Sequence, residues 1–369
     1  MGISNDLFYQ MAVKQIPNVG NVTAKLLISY CGGVENIFKQ SKSKLLKIPG
    51  IGEVTAESII GFKDFSRIEQ ELVFIEKNDI KPLFYLENEY PKRLKDIDDA
   101  PILLFYKGNA NLNATKIVSI IGTRNATEYG KAFTDKLVEA LKPTEALILS
   151  GLAYGIDYHS HKAAMNNNMP TVGVVAHGLD EIYPRDHKKT AHSMLENGGL
   201  LTEYLSKTKP DAANFPARNR IVAGMCDVLV VVETAIKGGS MITAEIANSY
   251  NKDIMALPGR VSDEYSQGCN YLIKQNKASI LSKPDDLFEL MNWDLKNTST
   301  KKPKQQLLLL DLDEDDTKII NYIKQKTKIG VDEISFDLQI DLGLLSFKLL
   351  DLEFKNIIRS LPGKVYEMA

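Results

Sequence analysis

The sequence predicts an α/β protein: an extended Rossmann-like parallel-sheet domain between an N-terminal helical domain (SAM or helix-hairpin-helix type) and a C-terminal winged-helix-like domain. Strand-like apolar runs alternate with amphipathic helical segments from 116 to about 293, matching turns recur in the first 75 residues, and three helical stretches end the chain. Such alternation is typical of parallel strands joined by right-handed crossovers. The predicted divisions are a helical domain 1–75, a connector 76–115, a sheet domain 116–293, a linker 294–310 and a winged-helix-like domain 311–369.

Composition limits the function classes. The chain has 369 residues, 44% hydrophobic and 25% charged, as expected of a globular protein with two or three domains. Its formal charge of −2 excludes a globally basic nucleic-acid binder, so any such contact must come from a local patch. Three isolated cysteines fit a reducing compartment, and no apolar run approaches the roughly 18 residues of a membrane span. We expect a cytoplasmic protein with no membrane contact.

The helical domain contains an internal sequence repeat. Ile16-Pro-Asn-Val-Gly-Asn-Val-Thr-Ala is followed 32 residues later by Ile48-Pro-Gly-Ile-Gly-Glu-Val-Thr-Ala. The pattern is similar to tandem helix-hairpin-helix units, whose Gly-x-Gly turns point backbone amides at a phosphate. The first copy has Asn18 in place of the leading glycine. A helical bundle that uses these glycines only for tight turns is the alternative, and it is favoured because little positive charge adjoins either turn.

Alternating strand-like and helical segments predict the sheet domain. We predict strands at 117–121, 146–149, 171–176, 199–203, 228–232 and 254–257. We predict helices near 129–141, 156–167, 187–197, 215–225, 240–250 and 268–276. Residues 80–115, punctuated by prolines, are interpreted as a connector with short strands.

The carboxyl ends of these strands carry small residues and cations. Gly122-Thr-Arg-Asn follows the first strand, Ser150-Gly151 the second, and Lys237-Gly-Gly-Ser a later one. Bare amides at helix N-termini and forked arginine donors both suit phosphate oxygens. The positive residues expected at this rim are Arg124, Lys162, Arg218, Arg220 and Lys237. The pattern predicts a groove for a sugar-phosphate backbone.

Nothing in the pattern predicts catalysis, a metal or a cofactor. His159 and His161 are two residues apart and diverge by about 200° on a helix, so they do not form a ligand pair. No other histidine has a partner at metal-ligand spacing. For Asp157 we favour ordering of the preceding loop, by accepting its backbone amides, over a catalytic role.

These motifs together are similar to the DNA-processing protein A family (DprA, also called Smf). The resemblance covers most of 80–293. It rests on Gly122-Thr-Arg-Asn, Ser150-Gly-Leu-Ala-Tyr-Gly-Ile-Asp, Tyr183-Pro184, Phe215-Pro-Ala-Arg-Asn-Arg, Gly238-Gly-Ser, Pro258-Gly259 and Gly268-Cys-Asn. The connector motif Tyr90-Pro91, Ala100-Pro101 and Lys107-Gly-Asn agrees.

The resemblance implies a function. Members bind single-stranded DNA in the Rossmann-like domain and load the recombinase RecA on it, relieving inhibition by single-strand-binding protein, in natural transformation and recombination, typically as dimers. The implied DNA contacts are Arg124, Ser150, Gly151, Gly155, Lys162, Phe215, Arg218, Arg220, Gly239 and Ser240. One departure is Tyr154, where the family often has arginine. An aromatic ring there can stack on a base for about 1–3 kcal/mol, so stacking would replace one phosphate charge.

Other functions remain open on the residues alone. Lys237-Gly-Gly with Glu245 resembles the signature of nucleoside-monophosphate phosphoribohydrolases, but Met241 and Ile242 replace its small residues. A dinucleotide-dependent oxidoreductase lacks its Gly-x-Gly-x-x-Gly turn. A pure adaptor, with the sheet domain a relic, is disfavoured by the positive rim.

The C-terminal module is unlike a DNA reader. Its third helical stretch, DLGLLSFKLLDLEFKN, is acidic and apolar, which repels phosphate. We interpret the module as a protein-docking or dimer-supporting element. For a homodimer surface of the sheet domain we expect residues 254–282, which close the sheet edge.

Overall fold

The computed structural model describes residues 5–293, 313–326, 329–355, 357–361 and 365–368. The chain divides into two compact units, Met1–Thr298 and Ser299–Ala369. Across the described residues, no helix has the length and apolarity to cross a membrane. The predicted linker 294–310 lies outside the described residues, and the predicted domain boundaries stay predictions.

The first unit begins with six helices around an apolar core. They are α1 (Asn5–Gln15), α2 (Asn21–Cys31), α3 (Val34–Phe38), α4 (Lys42–Leu45), α5 (Glu53–Gly61) and α6 (Ser66–Lys77). Gly20 caps α2 and Gly52 caps α5. Two residues before each cap the backbone is left-handed, at Asn18 (φ +63°) and Gly50 (φ +82°). Asparagine tolerates this conformation better than most residues, so the first turn keeps the shape of the second without its glycine.

A nine-stranded sheet follows. Its strands are β1 (Lys81–Phe84), β2 (Leu103–Gly108), β3 (Ile117–Ile121), β4 (Leu147–Ser150), β5 (Thr171–Val174), β6 (Gly198–Thr202), β7 (Val228–Val231), β8 (Asp253–Ala256) and β9 (Ser279–Ile280). Their order is β1-β2-β6-β5-β4-β3-β7-β8-β9. Strands β3 to β9 pair in parallel, whereas β1 and β2 add antiparallel at one edge. The predicted connector therefore contributes two strands to the sheet itself.

Helices cover both faces of the sheet. They are α7 (Lys92–Lys95), α8 (Glu128–Leu141), α9 (Ile156–Asn166), α10 (Lys188–Met194), α11 (Asn214–Met225), α12 (Gly239–Ser249), α13 (Glu264–Lys274) and α14 (Pro284–Met291). Along β3, Ile117 and Ile121 enter one core cluster, while Val118 and Ile120 enter another on the opposite face. Burial on both faces explains why this strand is an unbroken apolar run.

The strand order creates a switch point beside β3. From β3 the chain adds β4, β5 and β6 on one side, then returns to add β7, β8 and β9 on the other. The loops that leave the carboxyl ends of β3 and β7 therefore diverge and open a crevice, where α/β sheets bind ligands.

Buried polar contacts fix the N-terminal helices to the sheet domain. Glu71 of α6, 2% exposed, accepts hydrogen bonds from the amide and hydroxyl of Ser206. Lys14 of α1 lies 3.5 Å from the Glu203 carboxylate just after β6. Burial lowers the pKa of Lys14.

The described residues of the second unit form three helices and a small sheet. Its elements are α15 (Glu314–Lys326), β10 (Ile329–Gly330), α16 (Val331–Leu338), α17 (Leu342–Phe354), β11 (Ile358–Leu361) and β12 (Val365–Met368), with antiparallel strands in the order β10-β12-β11. Ile319, Ile323, Leu345, Leu349 and Leu352 are fully buried in its core. This is the architecture of a winged helix, as predicted. The Pro362-Gly363 pair between β11 and β12, a sequence typical of a hairpin turn, lies outside the described residues.

Candidate nucleic-acid interface

A cleft of about 680 Å³ opens at the switch point. We call it the central cleft. The loops after β3, β4 and β7 line it together with the start of α11. Of the ten residues predicted as DNA contacts, the cleft brings together Arg124, Gly151, Phe215, Arg218, Gly239 and Ser240.

Close packing of two loops shapes this cleft. Gly155 has φ +77°, and a Cβ atom there would lie 2.1 Å from the Thr123 carbonyl oxygen. Only glycine accommodates both the backbone angle and this approach. The amide of Ile156 donates to the same carbonyl at 3.2 Å. The loop before α9 therefore fixes the backbone next to Arg124.

Arg218 forms the floor of the cleft. It is 4% exposed, and its guanidinium donates to the carbonyl oxygens of Gly151 and Val174. Asp157, 7% exposed, accepts the Gly151 amide at 3.1 Å, which confirms the predicted loop-ordering role. Burial raises the pKa of Asp157, and the charge of Arg218 opposes that rise. The Arg218 guanidinium thus already donates hydrogen bonds to the protein backbone.

An aromatic wall faces this floor. The Arg124 guanidinium lies 5.7 Å from the centre of the Phe215 ring, and the Tyr183 ring centre lies 6.1 Å from it. Phe215 is half-buried, while Arg124 and Tyr183 are exposed. The wall combines a cation with two π-faces, a combination that suits a nucleobase joined to phosphate.

The start of α12 closes the third side. Gly238 is its N-cap, and no side chain caps the helix. Gly239 is exposed, and a Cβ atom there would meet nothing within 4 Å. The Met241 amide donates to the Gly238 carbonyl at 3.1 Å, whereas the Gly239 and Ser240 amides of this eleven-residue helix have no hydrogen-bond partner among the described residues. Such unpaired amides at a helix N-terminus favour anions.

A second depression, the side groove, adjoins the cleft at Arg124. Its volume is about 820 Å³, and its lining includes Arg124, Lys131, Tyr154, Gly155, Tyr158 and Lys162. Tyr154 is 42% exposed; its hydroxyl donates to Asp186 at 3.0 Å and its ring meets His187 edge-on at 4.8 Å. Lys162 is exposed, with Nζ 5.7 Å from the centre of the Tyr158 ring.

Two predicted contacts lie away from both depressions. Ser150 is fully buried, and its hydroxyl donates to the Ile120 carbonyl at 2.6 Å. Arg220 pairs with Glu203 at 2.6 Å and donates to the Asp99 carbonyl at 2.8 Å. The structure does not bring either side chain to the cleft lining.

The histidines His161, His177 and His187 are buried. Burial lowers the pKa of His161 to about 3, which keeps this ring neutral, and its Nδ1 lies 2.7 Å from the Thr171 hydroxyl. Within the described residues, no cluster of three or more histidine, cysteine or carboxylate side chains is arranged to hold a metal ion.

Sequence reasoning missed several lining residues. Tyr183 and Tyr265 both line the central cleft, and the Tyr265 hydroxyl accepts a hydrogen bond from Asn125 at 2.8 Å. Tyr183 belongs to the Tyr183-Pro184 motif of the sequence, so an exposed aromatic residue beside a proline was the available signal. Tyr265 comes from α13, and no local pattern connects it to the cleft.

Comparison with known proteins agrees with this architecture. A family described as DNA recombination-mediator protein A matches residues 81–292, and a helix-hairpin-helix motif matches residues 13–70. The DNA processing protein DprA of Streptococcus pneumoniae is 35% identical over 273 residues, covering 69% of this chain and 96% of that protein.

Two solved structures are also similar. The X-ray structure of DprA from Streptococcus pneumoniae matches with a TM-score of 0.66 and 30% identity, covering 78% of this chain and 98% of that one. DprA from Helicobacter pylori, described as having a unique single-stranded DNA binding mode, matches with a TM-score of 0.53 and 31% identity, covering 58% of this chain and 95% of that one. Because the family match spans more than half of the chain and a 35% identical relative is covered almost completely, the chain belongs to the DNA recombination-mediator protein A family, that of DprA.

Proposed function

We propose that this protein binds single-stranded DNA, independently of sequence, along the central cleft and the side groove, and loads RecA onto it. In this role it supports recombination, and natural transformation in a host that takes up DNA. The proposal assigns binding and no catalytic step to the chain. The action is on RecA, so we place it in the cytoplasm.

The proposal rests on two cations, beside the glycine-rich ends of the strands, that form no ion pair with a carboxylate in the described part of the chain. Within the described part of the chain, neither Arg124 nor Lys162 lies within ion-pair distance of a carboxylate, and both line the side groove. Arg124 also lines the central cleft, near the open start of α12. Cations without a carboxylate partner are available to phosphates, and each phosphate contact releases counterions.

Single strands are favoured over duplex because of the aromatic residues. Stacking on Phe215, Tyr183 or Tyr154 needs a base that is not already paired and stacked in a helix. The relative from Helicobacter pylori, described as binding single-stranded DNA, supports the same choice.

Fluorescence anisotropy with labelled single-stranded and duplex DNA of equal length tests the proposal. We expect strand-selective binding by the wild type. In Arg124→Ala/Lys162→Ala, the slope of log affinity against log salt should shrink by roughly 0.7 per removed contact.

Lys142→Ala/Lys252→Ala is the matched control, because it removes the same charge at the amino ends of β4 and β8, on the opposite edge of the sheet. The control should keep the wild-type slope. Equal slopes for the cleft variant and the wild type, or equal affinity for duplex, would overturn the proposal.

RecA loading has its own assay. On DNA coated with single-strand-binding protein, wild-type protein should shorten the lag of RecA ATP hydrolysis, and Arg124→Ala/Lys162→Ala should not. A lag that the wild type leaves unchanged would remove the loading role while leaving DNA binding intact. We further propose a homodimer through residues 254–282; a monomer by light scattering at micromolar concentration would count against it.

A further inference from the structure

Helix α17 in the second unit is apolar on two opposite sides. Leu345, Leu349 and Leu352 are fully buried in the core of the unit. On the other side, the exposed fractions are 47% for Leu344, 70% for Phe347, 52% for Leu350 and 78% for Phe354. A helix that is apolar all round is normally buried all round, and the described residues of the unit cover only one side of this one.

The charges on and beside this helix disfavour a nucleic-acid partner. Lys348 points inward and pairs with Asp313 at 2.5 Å and Asp316 at 3.1 Å. Lys355 pairs with Asp351 at 2.5 Å. Both lysines between 342 and 355 are thus neutralised, and phosphate would meet an apolar surface.

The outward residues follow the spacing of a helix-pairing seam. Gly343, Phe347, Leu350 and Phe354 are separated by four, three and four residues, the interval that keeps side chains on one stripe facing a second helix. The stripe also has small and large ends, Gly343 at the start and Phe354 at the finish. An antiparallel copy of the same stripe would place each glycine opposite a phenylalanine.

We propose that α17 pairs antiparallel with α17 of a second copy of this chain. In that arrangement Phe347 packs on the partner's Leu350, and Gly343 makes room for the partner's Phe354. The paired helices also run with opposed macrodipoles, and the acidic N-cap Asp341 lies near the partner's Lys355. One two-fold axis satisfies all of these contacts, as an isologous dimer requires.

The exposed area is large enough for such a pair. At roughly 150–250 Å² for each large side chain when fully exposed, the four outward residues present about 500 Å² per copy, or about 1,000 Å² in the pair. Specific interfaces begin at about 1,000 Å² in total. A single apolar patch of this size is otherwise near the upper limit seen on monomers.

Sedimentation of the full chain across a concentration series tests the proposal. Phe347→Asp/Leu350→Asp should weaken one association step by about a hundredfold or more. Ile280→Asp, at the exposed edge strand β9, is the matched control, because it places a carboxylate on the other candidate dimer surface and should leave the α17 step unchanged.

A charge-reversal pair separates an interface from a folding defect. Phe347→Lys/Leu350→Lys should fail to associate with itself at this step, but mixing it with Phe347→Asp/Leu350→Asp should restore association, because positions 347 and 350 face each other across the axis. Three results would each overturn the proposal: a wild type that stays monomeric at all concentrations, an association step that α17 substitutions do not change, or no restored association on mixing. The first result would assign the exposed side of α17 to a different protein partner.

Discussion

Tyr154 offers a direct test of whether bases or phosphates dominate binding in the side groove. The ring is 42% exposed and is held by two contacts, the hydroxyl to Asp186 at 3.0 Å and the edge against His187 at 4.8 Å. Its orientation is therefore set before DNA arrives. Base stacking on an aromatic side chain contributes about 1–3 kcal/mol, so Tyr154→Ala should weaken binding of single-stranded DNA by about 5- to 150-fold.

The salt dependence identifies the kind of contact that is lost. Tyr154→Ala should leave the slope of log affinity against log salt unchanged, because no cation is removed. Tyr154→Arg should steepen that slope by roughly 0.7. Asp186 competes for the new guanidinium, so the full increase should require the second substitution Asp186→Asn.

Fluorescence anisotropy with a labelled oligonucleotide, between about 50 and 200 mM salt, measures both quantities. Tyr154→Phe is the control, since it keeps the ring and removes only the hydroxyl. An abasic strand is the second control, because wild type and Tyr154→Ala should bind it equally. If Tyr154→Ala loses affinity equally on abasic and normal strands, or changes the slope instead, the stacking argument is refuted.

Three further predictions follow from buried contacts. Gly155→Ala should lower the free energy of unfolding by about 1–3 kcal/mol, because the positive φ and the nearby Thr123 carbonyl both oppose a Cβ atom. The affinity for single-stranded DNA should also fall, because the loop that carries Arg124 would have to move. Gly239→Ala, with open space for its Cβ, should leave urea unfolding unchanged; equal midpoints for the two variants would contradict this account. Arg220→Met should lower the free energy of unfolding in urea by about 1–3 kcal/mol, because the buried Glu203 carboxylate loses its partner at 2.6 Å and keeps Lys14 at 3.5 Å. The variant should keep the wild-type salt slope of DNA binding, and a shallower slope would instead make Arg220 a DNA contact. The pKa of His161 is near 3 in the folded protein and about 6.5 in the unfolded chain, so the wild type loses up to about 1.4 kcal/mol of stability per pH unit as the pH falls between these values. His161→Gln removes this titration and should make the free energy of unfolding depend less on pH in the acid range. Identical pH profiles for the two proteins, from unfolding at a series of pH values, would refute the assignment.

The sheet was predictable from the sequence because its chemistry is local. A strand buried on both faces is a continuous apolar run, and such runs match β3, β4, β5, β6, β7 and β8 to within a few residues. Parallel strands put their carboxyl ends on one edge, so the sequence alone predicts that Gly122, Arg124, Gly151 and Gly239 meet there. The cleft lies where that reasoning puts it.

The edge strands were harder because their partners are distant in sequence. Residues 81–84 and 103–108 pair with each other and then with β6, almost a hundred residues later. Prolines next to both segments are typical of a connector and equally of an edge strand. Local periodicity does not separate those two cases.

For the two arginines of α11, the sequence spacing alone predicts that they point in different directions. Arg218 and Arg220 are two residues apart, so on a helix they diverge by about 200°. Only one of them can face the central cleft, and the structure puts Arg218 there and turns Arg220 toward Glu203. The spacing argument that separates His159 from His161 applies equally to this pair.

Charge pairing, more than composition, explains how a chain of net charge −2 leaves two cations unneutralised in the side groove. Many basic residues away from the cleft are matched at short range, as in Arg93 with Asp227 at 2.7 Å and Lys277 with Glu245 at 2.7 Å. Each matched pair contributes little field beyond its own surroundings, since opposite charges at contact cancel at a distance. Arg124 and Lys162 have no carboxylate partner in the described part of the chain, so no opposite charge cancels theirs at contact distance. Neutralising distant carboxylates should thus change DNA affinity far less than removing either of these two cations.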